Sequence, residues 1–106
     1  MIKHIVMWKL KAEAEGHTAA ENALWMKEHL ESLMGVVPQL RSCEVGINIK
    51  AGNYDACLVA TFDSLEDLEA YKVHPEHVRI SNHCKLIRES RVACDYIIQS
   101  SARSLQ

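Results

Sequence analysis

Apolar and polar residues alternate through "IKHIVMWKLK", so residues 2–11 are predicted to form a β-strand. The alternation stops at "AEAEGH", which reads as a polar connection. Thr18 and Glu21 then have the spacing of a capping box and open a predicted helix running to about Met34. Ala23, Met26, Leu30, Leu33 and Met34 form its apolar face, and Gly35 is placed to end it. Pro38 forces an extended approach to a second strand, about 41–50, in which Cys43, Val45, Ile47 and Ile49 recur at period two. "KAGNYD" is a turn by its Gly and Asn content, and "ACLVATF", 56–62, is a third strand. Ser64 caps a second helix carrying Leu65, Leu68 and Tyr71, which Pro75 should break before a short helical segment resumes to about Leu86. The last strand is "SRVACDYII", 90–98, and "QSSARSLQ" is expected to be a frayed tail.

The order is β-α-β-β-α-β. That is the split pattern of a ferredoxin-like α+β fold, with a four-stranded antiparallel sheet in the order 4-1-3-2. One domain is expected over residues 1–106, with its core at about 2–98. Such a sheet, covered by helices on one face, should be polar on the other. Here both faces are apolar: Val6, Trp8 and Leu10 against Ile5 and Met7, and Ala56, Leu58, Ala60 and Phe62 against Cys57 and Val59. The last strand repeats this, with Val92, Cys94, Tyr96 and Ile98 against Ala93 and Ile97. Exposed apolar surface on that scale marks an interaction site. The second face is expected to pack on another copy of the chain, giving a homodimer.

Composition changes this picture little but narrows the function. The chain has 106 residues, and its formal net charge of −2 includes no basic run, which argues against nucleic acid as the main partner. No apolar stretch approaches the roughly 20 residues that span a bilayer. The start "MIKHIVMWKLK" lacks the apolar block and cleavage site of a signal peptide, so a cytoplasmic location is expected. Cys43, Cys57, Cys84 and Cys94 include no closely spaced pair, and they read as buried reduced thiols.

Against this apolar background a few polar residues do not belong. His4 shares the face of Val6 and Trp8, and Asp95 that of Ala93 and Ile97. The first and last strands are neighbours in this topology, so His4 and Asp95 can pair, which would relieve the cost of burying either alone. Above them, "YKVHPEHVRI" bends at Pro75 where His74 and His77 appear, and Tyr71 shares the face of Leu68. Tyr71 and His77 from the helices with His4 and Asp95 from the sheet make a candidate site. A histidine moves protons near neutral pH, and a phenol donates to an oxyanion. A surface role for the two histidines stays open from spacing alone. A metal reading of His74, His77, His4 and Asp95 lacks the strong ligand signatures, and no metal or cofactor is expected. His83 with Cys84 is a further pair that nothing else supports, and Trp8 and Trp25 read as core or pocket lining.

"KHIVMWKLK", "VGIN", "FDSLEDLEAYKVHPEHV" and the final "CDY" resemble, in that order, the stress-responsive A/B barrel (Dabb) family, from about Ile2 to Ile98. The resemblance implies ferredoxin-like protomers whose sheets join into a dimeric α/β barrel. Most members have no assigned activity. One plant member closes a linear polyketide by aldol condensation without metal or organic cofactor. In that likeness His77 would be the general base, oriented by Asp95, and Tyr71 would hold the substrate carbonyl, with His4 as the first-strand histidine. The implied pocket is lined by Val6, Trp8, Met26, Leu30, Leu58 and Ala93, with His74 beside it, and takes a small hydrophobic or carbonyl compound. Trp8 is bulkier and Ala93 smaller than in the cyclase, and Met26 and Leu30 replace aromatic residues. A different substrate is therefore expected, and a non-catalytic stress-response or ligand-binding barrel is the alternative.

Overall fold

The structure, a computed structural model, describes residues 1–98. The predicted tail, 99–106, lies outside the described residues. Strand β1 is Ile2–Leu10, the short pair β2 (Glu13–Ala14) and β3 (His17–Thr18) follows, and helix α1 spans Ala19–Glu31. Strands β4 (Ser42–Ile47) and β5 (Ala56–Phe62) lead to helices α2 (Leu65–Val73) and α3 (Pro75–Ile87), and β6 (Arg88–Ile97) closes the order. The four long strands form one antiparallel sheet in the order β4-β5-β1-β6. This is the ferredoxin-like α+β arrangement, with the first and last strands side by side in the sheet.

The register explains the layers. Ile2, His4, Val6, Trp8 and Leu10 alternate with less buried neighbours along β1, and Ala56, Leu58, Ala60 and Phe62 do so along β5. These residues meet Ala23, Met26, Leu30 and Leu33 from α1, Leu68 and Tyr71 from α2, and Ile80, Cys84 and Ile87 from α3. Helix α1 also guards the free edge of β4. Lys27 Nζ donates to the Val45 carbonyl at 2.8 Å, and Glu31 accepts from the Val45 amide at 2.9 Å and from Lys27 at 2.7 Å. Side chains thus satisfy backbone groups that an unprotected edge would offer to another strand.

Local chemistry accounts for the boundaries. The Thr18–Glu21 capping box is formed, and Ser64 accepts from the Asp67 amide. "AEAEGH" is not a plain connection. Glu15 and Gly16 both take positive φ, 53° and 82°, which closes a two-residue hairpin, and buried Asn22 holds it by donating to the Ala14 carbonyl. Helix α1 stops at Glu31 rather than near Met34, because the amides of Leu33 and Met34 reach only three residues back and Ser32 Oγ donates to the His29 carbonyl. Leu33 stays buried, but Met34 is exposed. Strand β4 ends at Ile47 rather than 50. Asn48 donates to the Tyr54 carbonyl and accepts from the Lys50 amide, drawing the chain into a turn that leaves Ile49 96% exposed. Pro75 does break the helix at His74, yet α3 then runs a full 13 residues with Pro75 as its first.

Candidate functional site

β1 and β6 bring the two polar residues of the sheet face to face. His4 is the direct cross-strand partner of Asp95, so both side chains project towards the helices. His4 Nδ1 is hydrogen-bonded to Asp95 Oδ1; the imidazole is buried, and the carboxylate is about one-third exposed (31%). An ionised carboxylate only accepts, so His4 Nδ1–H is the donor of this bond.

The helical half comes from the break at Pro75. Tyr71, in the last turns of α2, is buried, with its ring 5.0 Å from that of Phe62, 6.4 Å from that of His4 and 4.3 Å from that of His77. His77 sits in the first turn of α3, and its Nδ1 lies 3.1 Å from the Lys72 carbonyl. A carbonyl also only accepts, so Nδ1–H donates and Nε2 of neutral His77 is the basic nitrogen. Burial pushes the His77 pKa below its ordinary 6.5; the Lys72 carbonyl opposes this, while the charges of His4, Arg91 and His74 add to it. Burial likewise pushes the Tyr71 phenol up, so the hydroxyl stays a donor. Among the described residues Tyr71 Oη has no hydrogen-bond partner, and no fully buried side-chain oxygen or nitrogen is left unpaired. Its oxygen therefore faces open space.

That space is a cavity of about 350 Å3 between sheet and helices, at the lower end of the roughly 300–1,000 Å3 typical of small-molecule sites. Val6, Trp8, Leu30 and Leu58 form its apolar wall, and His4, Tyr71 and His77 border it together. Four of the six lining residues expected from the family likeness are thus in place. Met26 is not among them, because it is fully buried beneath α1, and neither is Ala93, which lies exposed on β6 opposite Val6. His74 turns away. Its Nδ1 accepts from the Glu76 amide at 3.1 Å as the cap of α3, and it is not among the residues that line the cavity. Asp95 orients His4, not His77; the acceptor that orients His77 is the Lys72 carbonyl, which the end of α2 leaves without an intrahelical partner.

Among the described residues no three His, Cys, Asp or Glu side chains converge as metal ligands would. His83 and Cys84 separate. The His83 ring lies 4.2 Å from that of Trp25, which also stacks on His29, while Cys84 borders the cavity with its thiol pushed up to about 11 by burial. Trp25 is therefore half-buried against the core and stacked between His29 and His83, and it does not line this cavity. Lys72, Ser81, Lys85, Arg88 and Arg91 complete the lining, and sequence reasoning missed all five. Arg91 was within reach of period-two reading, since it precedes Ala93 and Asp95 on the same face.

Comparison with known proteins agrees with this frame. The description of the stress responsive A/B barrel domain matches residues 2–98. Olivetolic acid cyclase of Cannabis sativa is 25% identical over 99 residues, covering 90% of this chain and 94% of the cyclase. The stress-response A/B barrel domain-containing protein DABB1 of Arabidopsis thaliana is 36% identical over 59 residues, 56% of this chain, and the match spans only 28% of that longer protein. Among solved structures, a dimeric protein of unknown function and ferredoxin-like fold from Bacteroides fragilis is 34% identical. It superposes with a TM-score of 0.78, over 92% of this chain and 95% of its own.

Proposed function

The chain belongs to the stress-responsive A/B barrel family, and from that premise we propose that it is a homodimer whose pocket binds a small carbonyl compound and moves a proton next to the carbonyl. The carrying observation is the arrangement of Tyr71 and His77 at the cavity: a phenol with no partner beside an imidazole whose Nδ1 is tied to the Lys72 carbonyl. His77 Nε2 takes a proton from the carbon between two carbonyls of the ligand, and Tyr71 donates to the enolate oxygen that forms. The carbanionic carbon then attacks a third carbonyl further along the same chain, making a carbon–carbon bond. The new alkoxide recovers the proton from His77. This aldol closure needs no other reactant, and it forms a ring, as the name of the Cannabis sativa relative, a cyclase, says of that protein. His4, held by Asp95, borders the cavity from the sheet side and positions the bound carbonyl chain.

The non-catalytic alternative requires the same residues to satisfy one another as a structural network. The unpartnered Tyr71 hydroxyl and the separate anchoring of His77 count against it. The dimer forms through the open face of the sheet, where Ile5, Met7, Val59 and Val92 lie without helical cover, and the dimeric Bacteroides fragilis relative supports that assembly. No helix among the described residues is long and apolar enough to cross a membrane. Of the four cysteines expected to be buried only Cys84 is; Cys43 and Cys57 are half-buried and Cys94 is exposed, and all four as free thiols fit a reducing, cytoplasmic location.

The test is a thermal-shift and turnover screen of wild type, Tyr71→Phe and His77→Ala against β-diketones, phenolic acids and linear polyketide analogues. Stabilisation of wild type by one class, with turnover abolished in both variants, is the expected result. A melting temperature lowered in His77→Ala while ligand shifts stay unchanged would overturn the reading in favour of a structural network.

A further inference from the structure

The mouth of the cavity is more basic than the molecule around it. Lys72, Lys85, Arg88 and Arg91 all border it, and no Asp or Glu does, although the chain as a whole carries a net charge of −2. Lys72 is engaged with Glu69 at 3.3 Å. Among the described residues Lys85, Arg88 and Arg91 enter no ion pair.

The two arginines are placed there by a defect in the sheet. Along β6, Arg91 pairs with Trp8 and Ser90 with Lys9, but the next pair is Arg88 with Leu10. The register skips Glu89. In a regular strand, residues three apart point to opposite faces. The bulge at Glu89 turns Arg88 onto the face of Leu10 and Trp8, beside Arg91 and over the cavity. The charge of Arg91 also bears on Tyr71, His77 and Cys84, all of which border the cavity. One sheet edge thus presents two guanidinium groups with ten N–H donors between them to a space whose walls are Val6, Trp8 and Leu58.

We infer that the ligand is a carboxylate: an amphipathic keto acid whose anionic end is held by Arg91 and Arg88 at the mouth, with its apolar part against Trp8 and Leu58. This rests on the pocket reading above and narrows its substrate class. A guanidinium fork matches a carboxylate in two parallel hydrogen bonds, giving orientation as well as attraction. Fixing one end of the chain at Arg91 leaves the carbonyl further along it to meet Tyr71 and His77.

The experiment is a calorimetric titration of the dimer with 4-oxo-4-phenylbutanoate and with its methyl ester, which differ in the charge and not in the ketone or ring. Wild type should bind the acid roughly tenfold tighter or more, the size expected of one or two charge-assisted hydrogen bonds. Arg91→Gln should remove that preference while leaving ester binding in place, Arg91→Lys should restore part of it, and added salt should weaken only the acid. Equal binding of acid and ester by wild type would overturn the carboxylate assignment and leave the pocket standing. An acid preference that survives in both Arg91→Gln and the Arg88→Gln/Arg91→Gln pair would also overturn it. Binding of neither compound would overturn the pocket reading together with the inference.

Discussion

The two faces of the sheet draw on the same alternation and use it for opposite purposes. On the covered face, Val6, Leu58, Ala60 and Phe62 lie under helices, and among them sit His4, Tyr71 and His77. On the open face, Ile5, Met7, Val59 and Val92 have no helix above them. Polar groups are affordable where helices and strands supply acceptors: Asp95 for His4, the Lys72 carbonyl for His77. The centre of the open face offers only side chains that water disfavours, and a second subunit is the cover that suits it. The candidate site therefore belongs to one face, and the proposed dimer contact to the other.

The sharpest way to separate the faces is to damage each in turn. Phe62 is fully buried against Tyr71, so Phe62→Ala leaves a cavity in the covered face and should cost about 3–5 kcal/mol in urea unfolding at fixed protein concentration. A cost under about 1 kcal/mol would mean that this face is not the core. Met7, 39% exposed in the isolated chain, lies on the other side. Met7→Arg should weaken the dimer roughly a hundredfold, about 3 kcal/mol, because it buries an unpaired charge at the contact. Sedimentation should then show a folded monomer, and a variant that stays fully dimeric would move the interface elsewhere.

Within the covered face, a double-mutant cycle of His4→Ala and Asp95→Asn measures whether the pair is a unit. The coupling should be about 1–2 kcal/mol, below the full range for charged hydrogen bonds because the carboxylate is partly exposed. Additive costs would show the two residues acting independently and would remove the anchor from His4.

Most of the frame was legible because it depends on local rules. Alternation fixed the faces of β1 and β5, the capping residues Thr18 and Ser64 fixed two helix starts, and Pro75 fixed the break. The pairing of His4 with Asp95 followed from topology, since the ferredoxin-like order β4-β5-β1-β6 makes the first and last strands neighbours. What escaped was set by tertiary hydrogen bonds. Nothing in "YKVHPEH" reveals that His77 is tied to the Lys72 carbonyl, or that His74 is occupied in capping α3. The bulge at Glu89 was equally hidden, and with it the position of Arg88, because strict period two assigns that residue to the wrong face.

The smallest expected effect concerns protons on His77. Its folded pKa lies below the unfolded 6.5, so between those two values the unfolded chain binds more protons than the folded one. Stability from keeping this ring neutral is complete above about pH 6.5 and is lost as pH falls from there to the folded value. Urea unfolding of wild type and His77→Gln from pH 7.5 to 5 should show wild type losing ground to the variant on acidification. The difference should never exceed about 1.4 kcal/mol per pH unit, the limit for a single proton. The charges of His4, Arg91 and His74 push the same ring in the same direction, so Arg91→Gln should shrink the difference without abolishing it. Parallel profiles for wild type and His77→Gln would mean that the ring is not held neutral by burial. A neutral ring is also what proton abstraction requires, so the acid limb of any turnover should fall in the same window, below 6.5. A limb at higher pH would separate the group that titrates in folding from the group that works in the pocket.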